Sequence, residues 1–229
     1  MRELLVFVIG MIFLFSVSIL SAEAKILTYY PTDDTFVVAD EPDKNFDGNG
    51  LELSDSYPNR PRFKRIYLKF DLSDLSGMTI TSATLYLYLN KFYSHYDEDY
   101  VNLHRVTEHD WNEETLTWNN QPDDNLVYIT TTKVYLYTWG GGEWKTWSGL
   151  ESLVQGWVDG DYPNYGIMLE CDSDNVYNEI AYFTFKDNES GINRPYLKIE
   201  AVPLPSTLFL FGSGLIGLAV IRQKKFRKI

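Results

Sequence analysis

The most regular pattern along the chain is an alternation of apolar and polar residues. In residues 83–90, Ala and Leu alternate with Thr, Tyr and Asn, and the same period of two recurs in residues 65–70 and 134–137. Side chains of a β-strand point to opposite faces in turn, so each segment predicts a strand with one aliphatic face. The other face of each strand is polar or rich in tyrosine.

Further segments with strand character follow one another between clusters of Gly, Pro, Asn and Asp, which favour turns. They are residues 34–38, 50–53, 100–106, 165–169, 180–185 and 196–202. About nine or ten strands at this spacing predict an all-β fold, either an antiparallel β-sandwich or a jelly-roll-like arrangement.

One segment has helical periodicity. Its apolar residues are Leu150, Leu153, Val154, Trp157 and Val158. Ser148 followed by Glu151 is the pattern of a capping box, and Gly160 is a typical residue just after a helix. The sequence therefore predicts one short helix, placed over an open end of the sandwich.

The first 24 residues have the pattern of a secretory signal peptide. Arg2 precedes an apolar stretch over residues 4–20, and Ala22 and Ala24 supply the small residues that precede a cleavage site. Cleavage after Ala24 is the preferred interpretation. An uncleaved signal anchor is the alternative, because the apolar stretch is longer than usual.

The C-terminal segment, residues 203–229, combines three features in a fixed order. Pro203, Pro205, Ser206 and Thr207 come first, a glycine-rich apolar stretch follows over residues 208–221, and Arg and Lys residues end the chain. As a helix, the apolar stretch would be about 21 Å long, short of the roughly 30 Å hydrocarbon core, so it is a minimal membrane span. The basic end predicts that the folded body lies outside the cytoplasm.

This order resembles the PEP-CTERM sorting region, a family of signals processed by an exosortase. The glutamate for which that family is named is replaced by Leu204 here. Two outcomes therefore stay open, removal of the segment by an exosortase-type enzyme and its retention as a membrane anchor.

Charge is unevenly distributed between the ends and the middle. Residues 25–202 contain 14 basic and 30 acidic residues, a net charge of −16. A body this acidic would repel a phosphate backbone, so nucleic-acid binding is disfavoured. The single cysteine, Cys171, excludes a disulfide scaffold and is expected to be a buried thiol.

The body, residues 25–202, is long enough for one domain. It contains an ordered set of motifs at residues 34–37, 42–46, 68–72, 80–85, 111–122, 153–157, 164–166 and 194–197. This set resembles the DNRLRE family over essentially residues 30–201, although the literal string is absent. DNRLRE domains are β-sandwiches. Some are grouped as carbohydrate-binding module family 96 and are found beside polysaccharide lyases and on cell-surface proteins.

Aromatic residues are the first candidates for contacts with a sugar, because the C–H faces of a pyranose pack on Trp and Tyr rings. Trp139 and Trp144 flank the glycines at 140–142, which predicts a position near an exposed loop tip. Tyr86 and Tyr88 lie on the outward face of their predicted strand. Trp111, Trp118 and Trp157 coincide with the family pattern and are expected to be core residues instead.

A second candidate is a Ca²⁺ site formed by Asp43, Asn45, Asp47 and Asn49. Oxygen ligands at alternate positions followed by a glycine are typical of the start of a calcium loop. An EF-hand is excluded because Ser54 stands where that motif requires glutamate. Asp33 and Asp34 are possible additional ligands, and a solvated turn is the alternative.

Catalytic motifs such as G-x-S-x-G, H-E-x-x-H and a Walker loop are absent from the sequence. The three histidines, His95, His104 and His109, form no recognisable catalytic pattern. The sequence therefore predicts a non-catalytic, exported protein of the cell envelope or extracellular matrix that binds or organises extracellular polysaccharide. A structural surface protein without sugar affinity, and a secreted polysaccharide lyase or hydrolase, are the alternatives.

Overall fold

The computed structural model describes residues 23–54, 63–93, 99–122, 125–134, 142–172, 180–188 and 190–204. Most of the predicted signal peptide, Trp139, His95, and the sorting residues Pro205, Ser206 and Thr207 lie outside these ranges, as does the apolar stretch 208–221. Among the described residues, no helix combines the length and apolarity needed to cross a bilayer.

Eleven β-strands and one α-helix make up the described part of the chain. The strands are β1 (Lys25–Tyr29), β2 (Asp33–Val38), β3 (Leu51–Ser54), β4 (Lys64–Lys69), β5 (Met78–Tyr93), β6 (Asp99–Arg105), β7 (Val127–Val134), β8 (Glu143–Ser148), β9 (Ile167–Cys171), β10 (Ile180–Phe183) and β11 (Tyr196–Pro203). The helix, α1, spans Glu151–Asp159, and single 3₁₀ turns lie at Ser73–Leu75 and Trp118–Asn120.

The strands form one curled sheet in the order β1-β11-β5-β10-β3-β4-β9-β6-β7, with β2 paired to β4 and β8 paired to β5. The recorded registers are antiparallel. We call β1, β11, β5 and β8 the first wall, and β2, β4, β9, β6 and β7 the second wall. β10 and β3 join the two walls. The antiparallel pairing of these strands confirms the predicted all-β fold.

The main core lies between the two walls. The first wall contributes Leu85, Leu87 and Leu89 from β5, and the second wall contributes Ile66 and Leu68 from β4; all five are fully buried. Each buried side chain of this size stabilises the fold by about 1.5–3 kcal/mol. Alternation along β5 therefore fixes which face of the first wall points outward.

A smaller apolar cluster, the outer cluster, lies on the outward face of the second wall. Tyr67 and Met168 on that face are covered by Trp111 and Leu116 from the segment after β6. The indole Nε1 of Trp111 donates a hydrogen bond to the carbonyl of Tyr165 at 2.7 Å. Trp111 is thus confirmed as a core residue.

The other two tryptophans expected in the core differ from each other. Trp157 is buried on α1 and packs into the main core, as predicted. Trp118 is only half-buried and packs against the edge of the outer cluster. Cys171 is also half-buried rather than enclosed, although it contacts the main core.

The helix is confirmed, but its predicted cap is wrong. Gly160 ends α1 with a left-handed φ of 73°, a conformation that favours glycine. Leu150, not Ser148, occupies the N-cap position, and no side chain caps it. Ser148 instead ends β8, where its hydroxyl accepts a hydrogen bond from Thr84 at 3.5 Å.

Strand β8 is missing from the sequence prediction, although it contains the largest fully buried side chain. Trp147 has no exposed surface, and its Nε1 donates to the carbonyl of Val101 at 2.9 Å. Trp147 therefore links the first wall to the second wall. Trp144 lies on the opposite face of the same strand.

Replacing Trp147 is expected to test this link. Trp147→Ala should lower the free energy of unfolding by about 3–5 kcal/mol, because it creates a large cavity. Trp144→Ala, on the outward face, should lower it by about 1 kcal/mol. Urea unfolding of both variants measures the difference, and equal losses would contradict the assignment of the two faces.

Candidate functional site

Four aromatic side chains come together on the outward face of the first wall. Tyr86 and Tyr88 project from β5 on the face opposite its buried leucines, and Trp144 of β8 pairs directly with Tyr88. Tyr196 joins them from the start of β11. We call these four residues the aromatic surface.

The rings of the aromatic surface are held in fixed positions by one another. Tyr86 stacks on Tyr196 with centroids 4.6 Å apart and an interplanar angle of 7°. Trp144 makes edge contacts with Tyr196 at 5.2 Å, Tyr88 at 5.3 Å and Tyr86 at 6.4 Å. Trp144 nevertheless keeps 38% of its surface exposed, so a ligand can reach it.

Gly142 gives Tyr88 the space it occupies. The Tyr88 hydroxyl donates to the carbonyl of Gly142 at 3.0 Å. A Cβ atom added at Gly142 would lie 2.3 Å from the carbonyl oxygen of Leu89 and 2.5 Å from the Tyr88 ring. Any other residue at position 142 would therefore displace the Tyr88 ring or the β5 backbone.

The phenol groups supply hydrogen-bond donors beside the rings. Burial raises the pKa of the Tyr196 hydroxyl, and the neighbouring Tyr86 and Tyr30 raise it further. Like any tyrosine hydroxyl, it is protonated at neutral pH and can donate to a sugar oxygen. The exposed indole of Trp144 can contact the C–H face of a pyranose, and the neighbouring phenol groups can donate hydrogen bonds to its hydroxyls.

Three of the four predicted sugar-contact residues thus meet on one surface. Trp144 lies within β8 rather than in the glycine-rich loop, and Trp139 lies outside the described residues. Tyr196 was missed by the sequence analysis. Its alternation with the buried Leu197 and Ile199 places it outward, but only the pairing of β11 with β5 brings it to Tyr86.

The side chains of the loop predicted to bind Ca²⁺ make hydrogen bonds within the loop and to the segment around residues 113–116. Asn45 Nδ2 donates to the carbonyls of Glu113 and Leu116, and its Oδ1 accepts from the Asp47 backbone N–H. Asn49 Nδ2 donates to the carbonyls of Phe46 and Asp47.

Asp43 accepts a hydrogen bond from Asn119 Nδ2 at 2.7 Å. Its carboxylate is thereby tied to the 3₁₀ turn at Trp118–Asn120. The Ca²⁺ site of Asp43, Asn45, Asp47 and Asn49 stays a prediction.

A different set of carboxylates does converge. Oxygens of Asp47, Glu113 and Asp187 lie within 4.8 Å of one another, and we call these residues the acidic cluster. The ammonium of Lys186 lies 2.8 Å from Glu113 and 2.6 Å from Asp187. Burial alone would lower the pKa of Lys186, but these hydrogen bonds raise it above its ordinary value. Lys186 therefore already compensates much of the negative charge.

Asp34, proposed as an extra ligand, lies beside the acidic cluster and is almost completely buried. Its Oδ2 accepts from the Lys186 backbone N–H at 2.6 Å, and its own N–H donates to Glu113 Oε2 at 2.8 Å. Burial raises the pKa of Asp34 to about 7, and Glu113 and Asp187 add to the increase while Lys186 opposes it. The Asp33 carboxylate accepts from the Glu113 N–H at 3.5 Å.

Asp34 should make stability depend on pH. Its pKa is higher in the folded chain than the ordinary 3.8, so the folded state binds more protons between about pH 4 and 7. Stability relative to Asp34→Asn should therefore fall as the pH rises through this range, by on the order of 1–3 kcal/mol. Asparagine keeps the oxygen that accepts from Lys186.

Urea unfolding at pH 4, 5.5 and 7.5 measures this difference. The exposed Glu114→Gln is the matched control. A difference between wild type and Asp34→Asn that does not change with pH would contradict the raised pKa.

Two family models match the sequence of this chain. The sequence model of carbohydrate-binding module family 96 matches residues 25–201, and a PEP-CTERM protein-sorting motif matches residues 201–225. The sorting motif indicates export and sorting to the cell surface. Both resemblances noted from the sequence are confirmed.

A gellan lyase from a Bacillus species is 34% identical to this chain over 105 residues. The matched region covers 44% of this chain and 4% of the lyase, so the chain spans a small fraction of that relative's length. The family model, in contrast, extends across the strands of both walls. This chain belongs to carbohydrate-binding module family 96.

Proposed function

We propose that this protein is an exported, non-catalytic module that binds extracellular polysaccharide through its aromatic surface. The observation that carries the proposal is an exposed Trp144 packed among three tyrosines on the outward face of a carbohydrate-binding fold. Such a surface can bind a polysaccharide chain along its length and needs no deep pocket.

The rigidity of the aromatic surface supports this role. Each ring contacts at least one other, and Tyr88 is further fixed by Gly142. Little side-chain freedom remains to be lost when a ligand binds, so more of the contact energy appears as affinity. Tyr and Trp are also the residues that most often dominate binding energy at interfaces.

The charge of the body bears on which polysaccharide is bound. With a net charge of −16 over residues 25–202, the protein favours a neutral chain, or an anionic chain bridged by cations. The C-terminal motif supports delivery to the cell surface, with an exosortase-type enzyme as the processing partner. Because Leu204 replaces the glutamate, retention through residues 208–221 as a membrane anchor is the alternative fate of the segment.

A polysaccharide-cleaving enzyme is the second candidate, and the similarity to a gellan lyase is the observation that favours it. Cleavage would create new reducing ends on the polysaccharide, or unsaturated uronates that are detected by their absorbance. Either signal would contradict the non-catalytic role.

Retention of the full chain on polysaccharide gels tests the binding proposal. Trp144→Ala should weaken retention roughly tenfold, because it removes the central ring of the aromatic surface. Tyr128→Ala, which removes a comparably exposed ring from the second wall, is the matched control and should bind as the wild type does.

Two outcomes would contradict the proposal. Wild-type protein that is retained on no polysaccharide would favour a structural role without sugar affinity. Equal retention of Trp144→Ala and wild type would move the binding site away from the aromatic surface.

A further inference from the structure

A polar groove of about 390 Å³ lies on the second wall, across the main core from the aromatic surface. Its volume is within the range of about 300–1,000 Å³ that is typical of small-ligand sites. The lining residues used below are Arg65, Asn102, Trp118, Glu170 and Asp172.

Strand alternation places the polar residues of this groove outward. Asn102 lies between the buried Val101 and Leu103 on β6. Glu170 follows the buried Leu169 on β9, and Arg65 precedes the buried Ile66 on β4. The three strands are adjacent, since β9 pairs with both β4 and β6. Their outward side chains therefore form one continuous floor.

The charged groups of the floor are fixed by each other. Arg65 Nε donates to Glu170 Oε2 at 3.1 Å, and Arg65 Nη1 donates to the buried Gln121 at 3.4 Å. The guanidinium of Arg65 also lies 5.1 Å from the Trp118 ring centroid. These contacts hold donors, acceptors and an aromatic ring in a preorganised array.

Glu170 stays ionised in this setting. Burial alone would raise its pKa, but His104, whose Nε2 lies 3.2 Å from Glu170 Oε1, and Arg65 hold the pKa below its ordinary value. Glu170 is therefore an acceptor of hydrogen bonds and not a donor.

The charge balance of the groove selects the class of ligand. Arg65 is paired with Glu170, and Lys64 at the rim is paired with Glu52. Asp172 adds a further carboxylate to the lining. The carboxylates of the groove would therefore repel an anionic sugar, because the cations beside them are already paired. The hydroxyls of a neutral sugar can use the donors and acceptors of the groove together.

We infer that the polar groove is a second carbohydrate site, which binds neutral sugar units of a polysaccharide over Asn102, beside Trp118 and the Arg65–Glu170 pair. This inference rests on the proposed function in one respect, which is that the ligand is a polysaccharide. Two sites on opposite walls allow one molecule to hold two polysaccharide chains. This arrangement would organise a matrix by cross-linking.

Titration calorimetry of the full chain with neutral hexasaccharides tests the inference. Cellohexaose, mannohexaose and xylohexaose are the probes, with oligogalacturonate as the anionic comparison. The wild type should bind two molecules of one neutral probe. Asn102→Ala and Trp144→Ala should each bind one, with affinity at the altered site reduced at least about tenfold.

Trp118→Leu is a second groove variant and locates the second site independently. It should bind one molecule of the neutral probe, as Asn102→Ala does.

The outcomes separate this inference from the proposed function. One bound molecule, lost in Trp144→Ala and unchanged in Asn102→Ala, would overturn the groove site and leave the proposed function intact. One bound molecule, lost in Asn102→Ala and unchanged in Trp144→Ala, would support the groove and overturn the aromatic surface. No binding of any probe would overturn both, and tighter binding of oligogalacturonate in the groove would overturn the neutral ligand class.

Discussion

The rest of the structure depends on the burial of one face of each strand in the main core. Leu85, Leu87 and Leu89 are fully buried, so the tyrosines between them must point away from the core. The same constraint puts Trp147 inside and Trp144 outside on β8. A shift of register by one residue would exchange the two faces, and the energetic cost of exposing the leucines prevents it.

This constraint lets a small domain carry exposed aromatic and charged side chains without weakening its core. The residues of the aromatic surface are stabilised by contacts among themselves, and the floor of the polar groove is stabilised by its own ion pair. The acidic cluster is stabilised by a cation instead, because Lys186 pairs with two carboxylates that would otherwise repel one another. Its ion pairs tie the chain near Glu113 to residues 186–187.

The sequence predicted most reliably what depends on local periodicity. The central part of β5 follows from the alternation of residues 83–90, and the end of α1 follows from Gly160. β8 was missed because Lys145, which is buried, interrupts its alternating pattern. The acidic cluster and the polar groove could not be predicted, because each joins residues far apart in the chain, and only the pairing of distant segments brings Glu170 next to Arg65.

The central claim is that strand alternation separates the tryptophans of the core from those that contact sugar. Indole N–H resonances of the full chain, recorded by NMR during titration with the neutral hexasaccharide that binds, test it most directly. The signals of Trp144 and Trp118 should shift, and those of Trp111, Trp147 and Trp157 should stay in place. Shifts at the buried tryptophans, or an unchanged Trp144, would contradict the account.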